Sequence, residues 1–446
     1  MIALHLPEYV LSLLNRLEAA GFPTYAVGGC VRDMLLGIVP HDYDLCTAAL
    51  PEQTESLFSD YQLVLAGKKH GTVAVVTPGG VVEITTFRTE GSYRDNRHPD
   101  WVRFVPNIED DLARRDFTVN AMAWSPTRGF ADPFGGQADL KNNILRAVGD
   151  PATRFREDSL RILRGVRFAV RFRLTPEDHT IAAMFDLADL MENLARERVF
   201  DELCKLLPLV TAGDLCLYAP ILAAVIPELA PMIGFDQHSP HHLYDVFTHT
   251  AYVVEAVPPA AALRWAALLH DVGKVPTFTR DETGRGHFYG HAQAGAELAD
   301  QILHRLKAPT ALREQAVWLI RHHMTPLEPD RKLLRRRLSR YGLEQTRQLL
   351  ALQQADFSSK GVVDTDKDVF SEISAILDQL QQEHSCLTLK DLAINGRDLM
   401  ALGFAPGREI GTCLENLLNQ VVDEIIPNEP ETLRMAALEF RNNPTP

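Results

Sequence analysis

Two aspartates one residue apart, Asp42 and Asp44, are the first side chains whose type and spacing suit chemistry. Residues 42–46 predict a strand, and alternate residues of a strand point to the same face. Adjacent carboxylates repel unless a cation lies between them, and an all-oxygen site that also takes phosphate oxygens favours Mg²⁺. Glu83, in a second predicted strand at residues 81–87, is a third catalytic candidate, because a lone carboxylate in an apolar strand is costly unless paired or metal-bound. The three acids indicate metal-dependent nucleotidyl transfer.

A glycine pair lies shortly before the acids. Gly28 and Gly29 separate a predicted strand at residues 25–27 from a predicted helix at residues 30–36. Such a turn lets backbone amides approach a triphosphate, and the amides at the start of a helix attract anions. Arg32 lies on that helix, and its planar guanidinium suits phosphate or ribose. The turn therefore predicts nucleotide binding beside the acids.

Histidines form a second concentration of reactive side chains. Ten of the 16 histidines lie within residues 238–323. Neutral imidazoles combined with carboxylates suit a divalent transition metal such as Ni²⁺, Mn²⁺, Fe²⁺ or Zn²⁺. In chain order the histidines include His249, His270, His287, His291, His322 and His323, with Asp271 and Asp356 as carboxylates in the same part of the chain.

The whole chain limits the class of protein. It has 446 residues, of which 46% are hydrophobic and 23% charged, and this composition excludes a mostly disordered chain. The sequence has no apolar run long enough for a transmembrane helix and no signal-peptide pattern, so we expect neither a membrane nor a secreted protein. Six scattered cysteines without a CxxC motif are expected to be buried thiols in a reducing cytoplasm.

Charge is distributed unevenly. The net charge of −14 argues weakly against a nucleic-acid partner. Residues 146–173, however, carry eight arginines against three acids, and residues 331–340 form a second basic run. Basic stripes on an acidic chain suit a partner that touches one surface, whereas the alternative is ordinary solvated helix faces.

The predicted elements divide the chain into two kinds of structure. Residues 1–140 alternate helices and short strands, beginning with a helix at residues 7–20 and including a hairpin of strands at residues 71–77 and 81–87. From about residue 141 the pattern is helical throughout. The sequence therefore predicts a small α/β head with a mixed sheet, followed by an elongated all-α remainder.

Four ordered motifs carry a resemblance to a known family. They are GGCVRDMLLG at residues 28–37, HDYDL at 41–45, RRDFTVNA at 114–121 and EDSLR at 157–161. In this order they resemble the class II bacterial tRNA nucleotidyltransferases, or CCA-adding enzymes, of the polymerase-β superfamily. The resemblance implies a nucleotidyltransferase head at 1–140, a helical neck at 141–210, a helical body at 211–360 and a tRNA-binding tail at 361–446.

The resemblance also implies an activity and its partners. The expected reaction is template-independent addition of CCA to the tRNA 3′ end from CTP and ATP, with Mg²⁺ in the head and with neither DNA nor a membrane as partner. The implied nucleotide-binding residues are Gly28, Gly29, Arg32, Arg115, Asp158, Arg161, Arg164 and Arg167. In the family, a flexible loop corresponding to residues 88–106 is needed for addition of the final A.

Hydrogen-bond chemistry explains what Asp158 and Arg161 would do. Spaced i and i+3, they are expected to share one helix face. Cytosine and adenine each offer an amino donor beside a ring-nitrogen acceptor, so an Asp acceptor beside an Arg donor matches both bases. Uracil and guanine would leave buried polar groups unpaired, at about 1–3 kcal/mol each. One side-chain pair thus accepts C and A and rejects U and G.

A second resemblance concerns the histidine-rich segment. LLHDVGK at residues 268–274 resembles the core signature of HD-domain phosphohydrolases, over roughly residues 238–360. It implies His249 as the first metal ligand and Asp356 as the last, with Ni²⁺ or Mn²⁺ as metal. The implied activity is 2′,3′-cyclic phosphodiesterase or phosphatase, and the alternative is a degenerate domain that only packs against tRNA.

Several readings remain open at the level of sequence. They are an enzyme that adds only A, a bacterial poly(A) polymerase, an HD phosphohydrolase whose head merely binds nucleotide, and a non-enzymatic RNA-binding module. The HD segment and the lack of a strongly basic tail disfavour the polymerase, and the intact pair Asp42 and Asp44 disfavours the non-enzymatic module. The sequence leaves the oligomeric state and the role of individual tail residues open.

Overall fold

The computed structural model describes residues 4–91, 101–239, 243–361, 368–383 and 385–442. They fall into two compact units. Unit 1 contains Met1–Ala230 and Arg305–Ala308, and unit 2 contains Pro231–His304 and Pro309–Pro446. Part of the expected flexible loop at 88–106 lies outside the described residues.

Unit 1 begins with alternating helices and strands, as predicted. Its strands are β1 Thr24–Val27, β2 Tyr43–Thr47, β3 Gln62–Val64, β4 Thr72–Thr77, β5 Gly80–Thr86, β6 Arg88–Glu90, β7 Val102–Phe104, β8 Ala123–Ser125 and β9 Gly129–Ala131. The helices among them are α1 Glu8–Ala19, α2 Gly29–Leu35, α3 Pro51–Leu57, α4 Ile108–Ala113 and α5 Gly136–Lys141. Each of the helices and strands predicted before residue 90 is present within one or two residues of its expected bounds.

Seven of the strands form one mixed sheet in the order β3-β4-β5-β2-β1-β8-β9. The pair β2 and β5 is parallel, and the other neighbouring pairs are antiparallel. Strand β4 alternates buried and half-buried residues, with Val73 and Val75 on its buried face. This period-two pattern fixes the register, because a slip by one residue would turn the apolar set away from the core.

The rest of unit 1 is almost entirely helical. Its helices are α6 Pro151–Glu157, α7 Leu160–Phe172, α8 Asp178–Asp186, α9 Arg196–Leu206, α10 Ala212–Leu217 and α11 Ala219–Val225. The expectation of an all-helical chain beyond residue 141 is wrong in detail, because Ile144–Leu145 (β10) pairs in parallel with Thr175–Pro176 (β11). Two-residue strands show no periodicity, so the sequence carried no signal for them.

Unit 2 is helical apart from one short hairpin of Thr279–Arg280 (β12) and Gly286–His287 (β13). Its helices are α12 Val246–Ala256, α13 Ala261–Leu269, α14 Lys274–Thr277, α15 His291–Arg305, α16 Thr310–His322, α17 Arg331–Tyr341, α18 Leu343–Ser358, α19 Asp368–Gln382, α20 Gly396–Ala401, α21 Arg408–Val422 and α22 Pro430–Asn442. One apolar core joins α17, α18 and α19, and another joins α20, α21 and α22. Neither unit has, within its described part, a helix with the length and apolarity needed to span a bilayer.

The six cysteines are all free thiols. Four are buried, as expected, but Cys204 is half-buried and Cys216 is exposed. The expectation that all six are buried is therefore wrong for these two, which lie on the polar sides of α9 and α10.

Gly136 gives a direct test of how closely the head is packed. A Cβ at this position would lie 2.2 Å from the backbone oxygen of Thr118, so Gly136→Ala must push α5 away from the segment Thr118–Asn120. We expect a loss of about 1–3 kcal/mol in the free energy of unfolding, measured as a lower melting temperature by circular dichroism. Gly213→Ala in α10 is the matched control, because its nearest atom lies 3.8 Å away. An equal loss in both variants would contradict the packing argument.

Candidate functional site

The three acids predicted from the sequence, Asp42, Asp44 and Glu83, lie close together near the centre of the sheet, and this group is called the acidic edge. Tyr43 and Leu45 point into the core, whereas Asp42 and Asp44 are exposed. The parallel pairing of β2 with β5 places Asp44 directly opposite Glu83. Three carboxylates thus lie along one face of two neighbouring strands.

The electrostatics of this edge fit a cation. The surrounding protein removes part of the water around the Asp44 carboxyl, although the residue still reaches solvent. This desolvation and the charges of Glu83 and Asp42 raise the pKa of Asp44 to about 6, against the opposing effect of Arg115. Asp42 is more open, with 82% of its side chain exposed and His41 Nδ1 at 3.0 Å. Repelling carboxylates without a fixed cation partner have the donor chemistry that Mg²⁺ takes together with phosphate oxygens. Asp42, Asp44 and Glu83 therefore fit the metal expected from the sequence.

The glycine turn lies against an arginine that is firmly anchored. Gly28 has a φ of +70°, and a Cβ there would lie 2.8 Å from Nη1 of Arg115. Arg115 in turn donates to the fully buried carboxylate of Asp111 at 3.1 Å, and Arg114 donates to the same carboxylate at 2.7 Å. Burial alone would raise the pKa of Asp111, but the two guanidiniums hold it below its usual value. Only glycine at position 28 lets the backbone come this close to the cation.

Three arginines on α7 form a row, and each is held by a carboxylate. Arg161 donates to Glu157 at 2.9 Å, Arg164 to Asp116 at 2.6 Å and Arg167 to Glu202 at 2.6 Å. These ion pairs with carboxylates fix the orientation of each planar guanidinium group. Arg164 also lowers the pKa of Asp116 to about 2, against the effect of burial.

Asp158 does not lie on the same helix as Arg161. It follows the last residue of α6, with φ −141° and ψ 100°, and α7 begins only at Leu160. Its carboxylate accepts from Arg198 on α9 at 2.8 Å, whereas Arg161 turns to Glu157 and to the backbone oxygen of Arg114. The i, i+3 helical pairing expected from the spacing is therefore wrong, although both side chains reach one pocket.

That pocket measures about 430 Å³ and lies within unit 1. It brings together the predicted residues Gly28, Gly29, Arg32, Asp44, Arg115, Asp158, Arg161, Arg164 and Arg167. Asp42 and Glu83 lie outside its lining, next to Asp44 in the chain and in the sheet respectively. Six further lining residues were not predicted from the sequence, although the motif RRDFTVNA contains the first three: Arg114, Asp116, Asn120, Phe168, Arg171 and Arg198.

Three family models match parts of the chain. The Poly A polymerase head domain matches residues 24–146, the probable RNA- and SrmB-binding site of polymerase A matches 173–209, and the putative tRNA nucleotidyltransferase domain 2 matches 288–437. The CCA-adding enzyme of Streptococcus sanguinis is 34% identical over 436 residues, which are 96% of each protein. The chain belongs to the CCA-adding enzyme family. It is therefore a nucleotidyltransferase, as the motifs predicted.

Other CCA-adding enzymes are similar to this chain in sequence or fold over nearly its whole length. The CCA-adding enzyme of Latilactobacillus sakei is 34% identical over 97% of this chain and 98% of its own. The crystal structure of the Bacillus stearothermophilus CCA-adding enzyme in complex with CTP is 28% identical, with a TM-score of 0.73 over 97% of both chains. The Thermotoga maritima CCA-adding enzyme complexed with tRNA, at 21% identity and a TM-score of 0.60, shares the fold over 98% of this chain and 96% of its own. The predicted mixed-sheet head with a helical body is thereby confirmed.

Unit 2 of the enzyme contains a second concentration of ligand atoms. Two groups, each with its ligand atoms within 4.8 Å of one another, share Asp271. One group adds His249 and His270, and the other adds His291 and His323. Asp356, predicted on spacing alone, lies 2.9 Å from Nε2 of His249.

The histidines of this cluster are turned inward by the backbone. Each Nδ1 donates to a carbonyl, so each Nε2 is left as a lone-pair donor facing the cluster. The carbonyls belong to Ser359 for His249 at 3.2 Å, Ala267 for His270 at 2.7 Å, Phe288 for His291 at 2.8 Å and Ile320 for His323 at 2.6 Å. Two such nitrogens, on His291 and His323, lie only 3.2 Å apart. Facing lone pairs at this distance need a proton or a cation between them, and such carbonyl-oriented imidazoles are typical of metal ligands.

The charges of the cluster support the same interpretation. Burial, together with His270, lowers the pKa of His323 to about 4, so this imidazole is neutral at pH 7. Burial alone would raise the pKa of Asp271, but His270 and Lys274 hold it well below its usual value. Burial alone would lower the pKa of His270, but Asp271 raises it, so metal binding at this imidazole would release a proton, whereas His323 and Asp271 already have the protonation states that a divalent transition metal requires.

Only some members of this cluster were predicted from the sequence as metal ligands. His249, His270, Asp271 and Asp356 are brought together as expected. His291 and His323 were seen only as part of the histidine-rich stretch and were given no role. His287 lies in the same stretch but pairs with Asp281 at 2.8 Å. The only sequence signal for the missed pair was the density of histidines, which does not distinguish inward from outward rings.

Asp44→Asn tests the repulsion along the acidic edge. Because the folded protein holds the Asp44 proton up to about pH 6, against a usual pKa of 3.8, the ionised carboxyl destabilises the fold as pH rises through this window. Without metal at pH 7.5, we expect Asp44→Asn to raise the free energy of unfolding by the order of 1 kcal/mol, after allowance for solvent screening. Thermal melts in EDTA measure the gain.

The same melts contain their own control. The gain should shrink at pH 4, where Asp44 is mostly protonated in the parent. Asp42→Asn, at the more exposed position, should give a smaller gain at both pH values. A pH-independent gain would contradict repulsion as the cause.

Proposed function

We propose that this enzyme adds C, C and A to tRNA 3′ ends from CTP and ATP without a nucleic-acid template. The observation that carries the proposal is that Asp158 and Arg161 share one pocket with Asp44 and the glycine turn. A base-reading acceptor and donor therefore lie in the same cavity as a catalytic carboxylate. Relatives with this fold have been solved with CTP, ATP and tRNA, which supports the same ligands here.

The pocket is suited to a nucleoside triphosphate in its charge. Eight arginines line it, against three aspartates. The surplus of guanidiniums offers bidentate donors to phosphate oxygens, and the buried carboxylates hold the forks in place. We propose that Arg115 and the α7 arginines bind the triphosphate and the base, with Arg32 bound to Asn120 behind them.

Base selection follows from the arrangement at the α6–α7 junction. Asp158 offers acceptors and Arg161 offers donors, the complement of the edges of cytosine and adenine. For uracil and guanine the carbonyl would face the Asp, and the ring N–H would face the Arg. The resulting unpaired polar groups cost about 1–3 kcal/mol each, which is sufficient to exclude both bases.

The transfer step is an in-line attack of the tRNA 3′-hydroxyl on the α-phosphorus, with pyrophosphate as leaving group. Asp42 and Asp44 would hold Mg²⁺, assisted by Glu83. When bound, Mg²⁺ supplies charge stabilisation to the attacking and leaving oxygens. Arg115 and the α7 arginines offset the negative charge that remains on the departing pyrophosphate.

We propose that the functional segments follow the family arrangement. The head at 1–140 would carry the acids, and the neck at 141–210 the base-reading pair. The body at 211–360 would carry the histidine cluster, and the tail at 361–446 would contact tRNA. The basic face of α17 supports an RNA-facing surface, since Arg337 and Arg340 both lie beside Tyr341 on the last turns.

Asp42→Ala tests the acidic edge. Because the variant lacks a proposed Mg²⁺ ligand, we expect incorporation of CTP and ATP to fall by at least about 10³-fold while tRNA binding survives. Incorporation is measured with radiolabelled nucleotide, and binding by gel shift. Asp186→Ala, at an exposed position at the end of α8, is the matched control. Undiminished incorporation by the Asp42 variant would remove the metal argument.

Asp158→Ala tests base selection. The variant keeps the Arg161 donor but removes the Asp158 acceptor proposed for the amino group of the base, so the ratio of CTP to UTP incorporation should fall by about ten-fold or more, and turnover should fall less. The measurement is kcat/KM for each nucleotide. A parent-like preference for CTP over UTP would refute the proposed pairing.

Product sequencing separates the proposed reaction from its rivals. The enzyme is incubated with tRNA ending at the discriminator base, with CTP and ATP singly and together. Addition of CCA supports the proposal. A requirement for tRNA already ending in CC would identify an A-adding enzyme, and long A tracts would identify a poly(A) polymerase.

We propose a second activity, phosphohydrolysis, for the histidine cluster of unit 2. The facing Nε2 atoms of His291 and His323 and the shared carboxylate Asp271 support a divalent metal there. When bound, such a metal supplies an activated water for attack on phosphate. Ni²⁺ and Mn²⁺ both suit the imidazole and carboxylate ligands, and a 2′,3′-cyclic phosphate at a damaged RNA end is the proposed substrate.

His270→Ala tests this second activity. The variant should lose metal, measured by elemental analysis, and should lose cyclic-phosphate hydrolysis by about 10²-fold or more, because a ligand is missing. CTP and ATP incorporation should be unchanged. His304→Ala, an exposed histidine outside the cluster, is the control. Parent-like hydrolysis by the His270 variant would exclude this site.

A further inference from the structure

The histidine cluster opens into a pocket of about 270 Å³ whose mouth has an unusual composition. The deep part carries Asp271, His291, His323 and Asp356, which belong to the cluster. The outer lining includes two large exposed side chains and a lysine, which are Tyr289, Met324 and Lys360. A site for phosphate alone could use the lysine but would need neither the tyrosine nor the methionine.

Tyr289 is the most exposed large aromatic residue at this mouth, with 77% of its surface open to solvent. Its ring stacks on His287, with centroids 5.3 Å apart and planes only 7° from parallel. His287 is itself held by Asp281 at 2.8 Å. The tyrosine ring is thus supported on one face and open on the other.

Tyr289 and the histidine cluster are joined by a short, anchored stretch of chain. One residue before Tyr289, the Phe288 carbonyl accepts from Nδ1 of the cluster ligand His291 at 2.8 Å. The Phe288 ring lies 5.4 Å from Nζ of Lys274, which binds Asp271 at 2.7 Å. Tyr289 is therefore kept at a fixed distance from the atoms that would receive a phosphate.

The two remaining groups at the mouth are compatible with a nucleotide. Met324 is 57% exposed and directly follows the ligand His323, so it offers apolar contact near the cluster. Lys360 lines the same mouth and brings a positive charge toward an RNA backbone. An aromatic face with an adjacent cation is the combination that binds single-stranded nucleic acid irrespective of sequence.

We propose that Tyr289 is the platform on which the nucleobase of an RNA 3′-terminal nucleotide stacks while its phosphate enters the histidine cluster. This rests on the proposed phosphohydrolase function of the cluster and adds a specificity-determining residue to it. Because stacking uses the π-face that every base has, the site requires a base and accepts any of the four. A phosphate ester without a base is a poor ligand for this mouth.

A fluorophore at the platform reports binding without any dependence on catalysis. Tyr289→Trp in the full chain is titrated with adenosine 2′-monophosphate and, separately, with inorganic phosphate, and the parent's fluorescence is subtracted. We expect quenching by the nucleotide and none by phosphate. Tyr252→Trp is the matched control, because Tyr252 is also exposed and lies against another ring, that of Tyr244, but does not line this pocket. Absence of quenching at position 289, or equal quenching at both positions, would overturn the proposal.

Kinetics on the metal-loaded full chain provide a second, independent reading. Tyr289→Ala should raise KM for adenosine 2′-monophosphate and uridine 2′-monophosphate by about ten-fold with little change in kcat, and Tyr289→Phe should retain the parent KM. Hydrolysis of glycerol 2-phosphate, which has no base, should be unaffected by either variant. An equal effect on all three substrates would show a structural role only and would overturn the platform.

The two proposals for unit 2 fail in different ways. If the parent hydrolyses neither these esters nor a 2′,3′-cyclic phosphate but nucleotide still quenches Tyr289→Trp, the phosphohydrolase function is wrong and the platform stands. If the esters are hydrolysed without quenching or a KM effect, the phosphohydrolase stands and the platform is wrong.

Discussion

The pocket of unit 1 depends on carboxylates that offset the repulsion among its crowded arginines. Eight guanidiniums around one cavity repel one another, and burial makes the repulsion stronger than in water. Buried or half-buried carboxylates oppose this repulsion, and Asp111 alone holds both Arg114 and Arg115. Loss of such an acid would leave its arginines without a fixed direction, so the carboxylates behind the pocket are as necessary as the arginines in it.

The two units prepare their reactive atoms by different means. In unit 1, side-chain ion pairs aim the arginines, and the sheet register aligns Asp44 with Glu83. In unit 2, backbone carbonyls accept from the four imidazoles. Three of these carbonyls lie three residues before their histidine, and the fourth, that of Ser359, follows α18. The first arrangement leaves surplus positive charge for an anionic ligand, and the second leaves lone pairs for a cation.

The sequence predicted what depends on local pattern. The turn residues Pro78, Gly79 and Gly80 predicted the hairpin of β4 and β5, and the motif order predicted nine of the residues around the pocket. Spacing alone could not show that one helix ends and another begins between α6 and α7, because two residues spaced i and i+3 look the same in sequence whether they lie within one helix or across a helix boundary. Nor could it show that His291 and His323 point inward while His287 points to Asp281, since the spacing does not reveal whether a ring meets a nearby carbonyl or a nearby acid.

The parallel pairing of β2 with β5 has a consequence for protein engineering. Asp44 faces Glu83 because of strand register, and the long connection between these strands takes no part in that alignment. Extra residues in the exposed turn before β3 would therefore leave the acids opposed, whereas a single residue added within β2 would separate them. A reporter peptide inserted in the turn before β3 should therefore preserve the alignment of the acids, whereas one alanine inserted within β2 should abolish it.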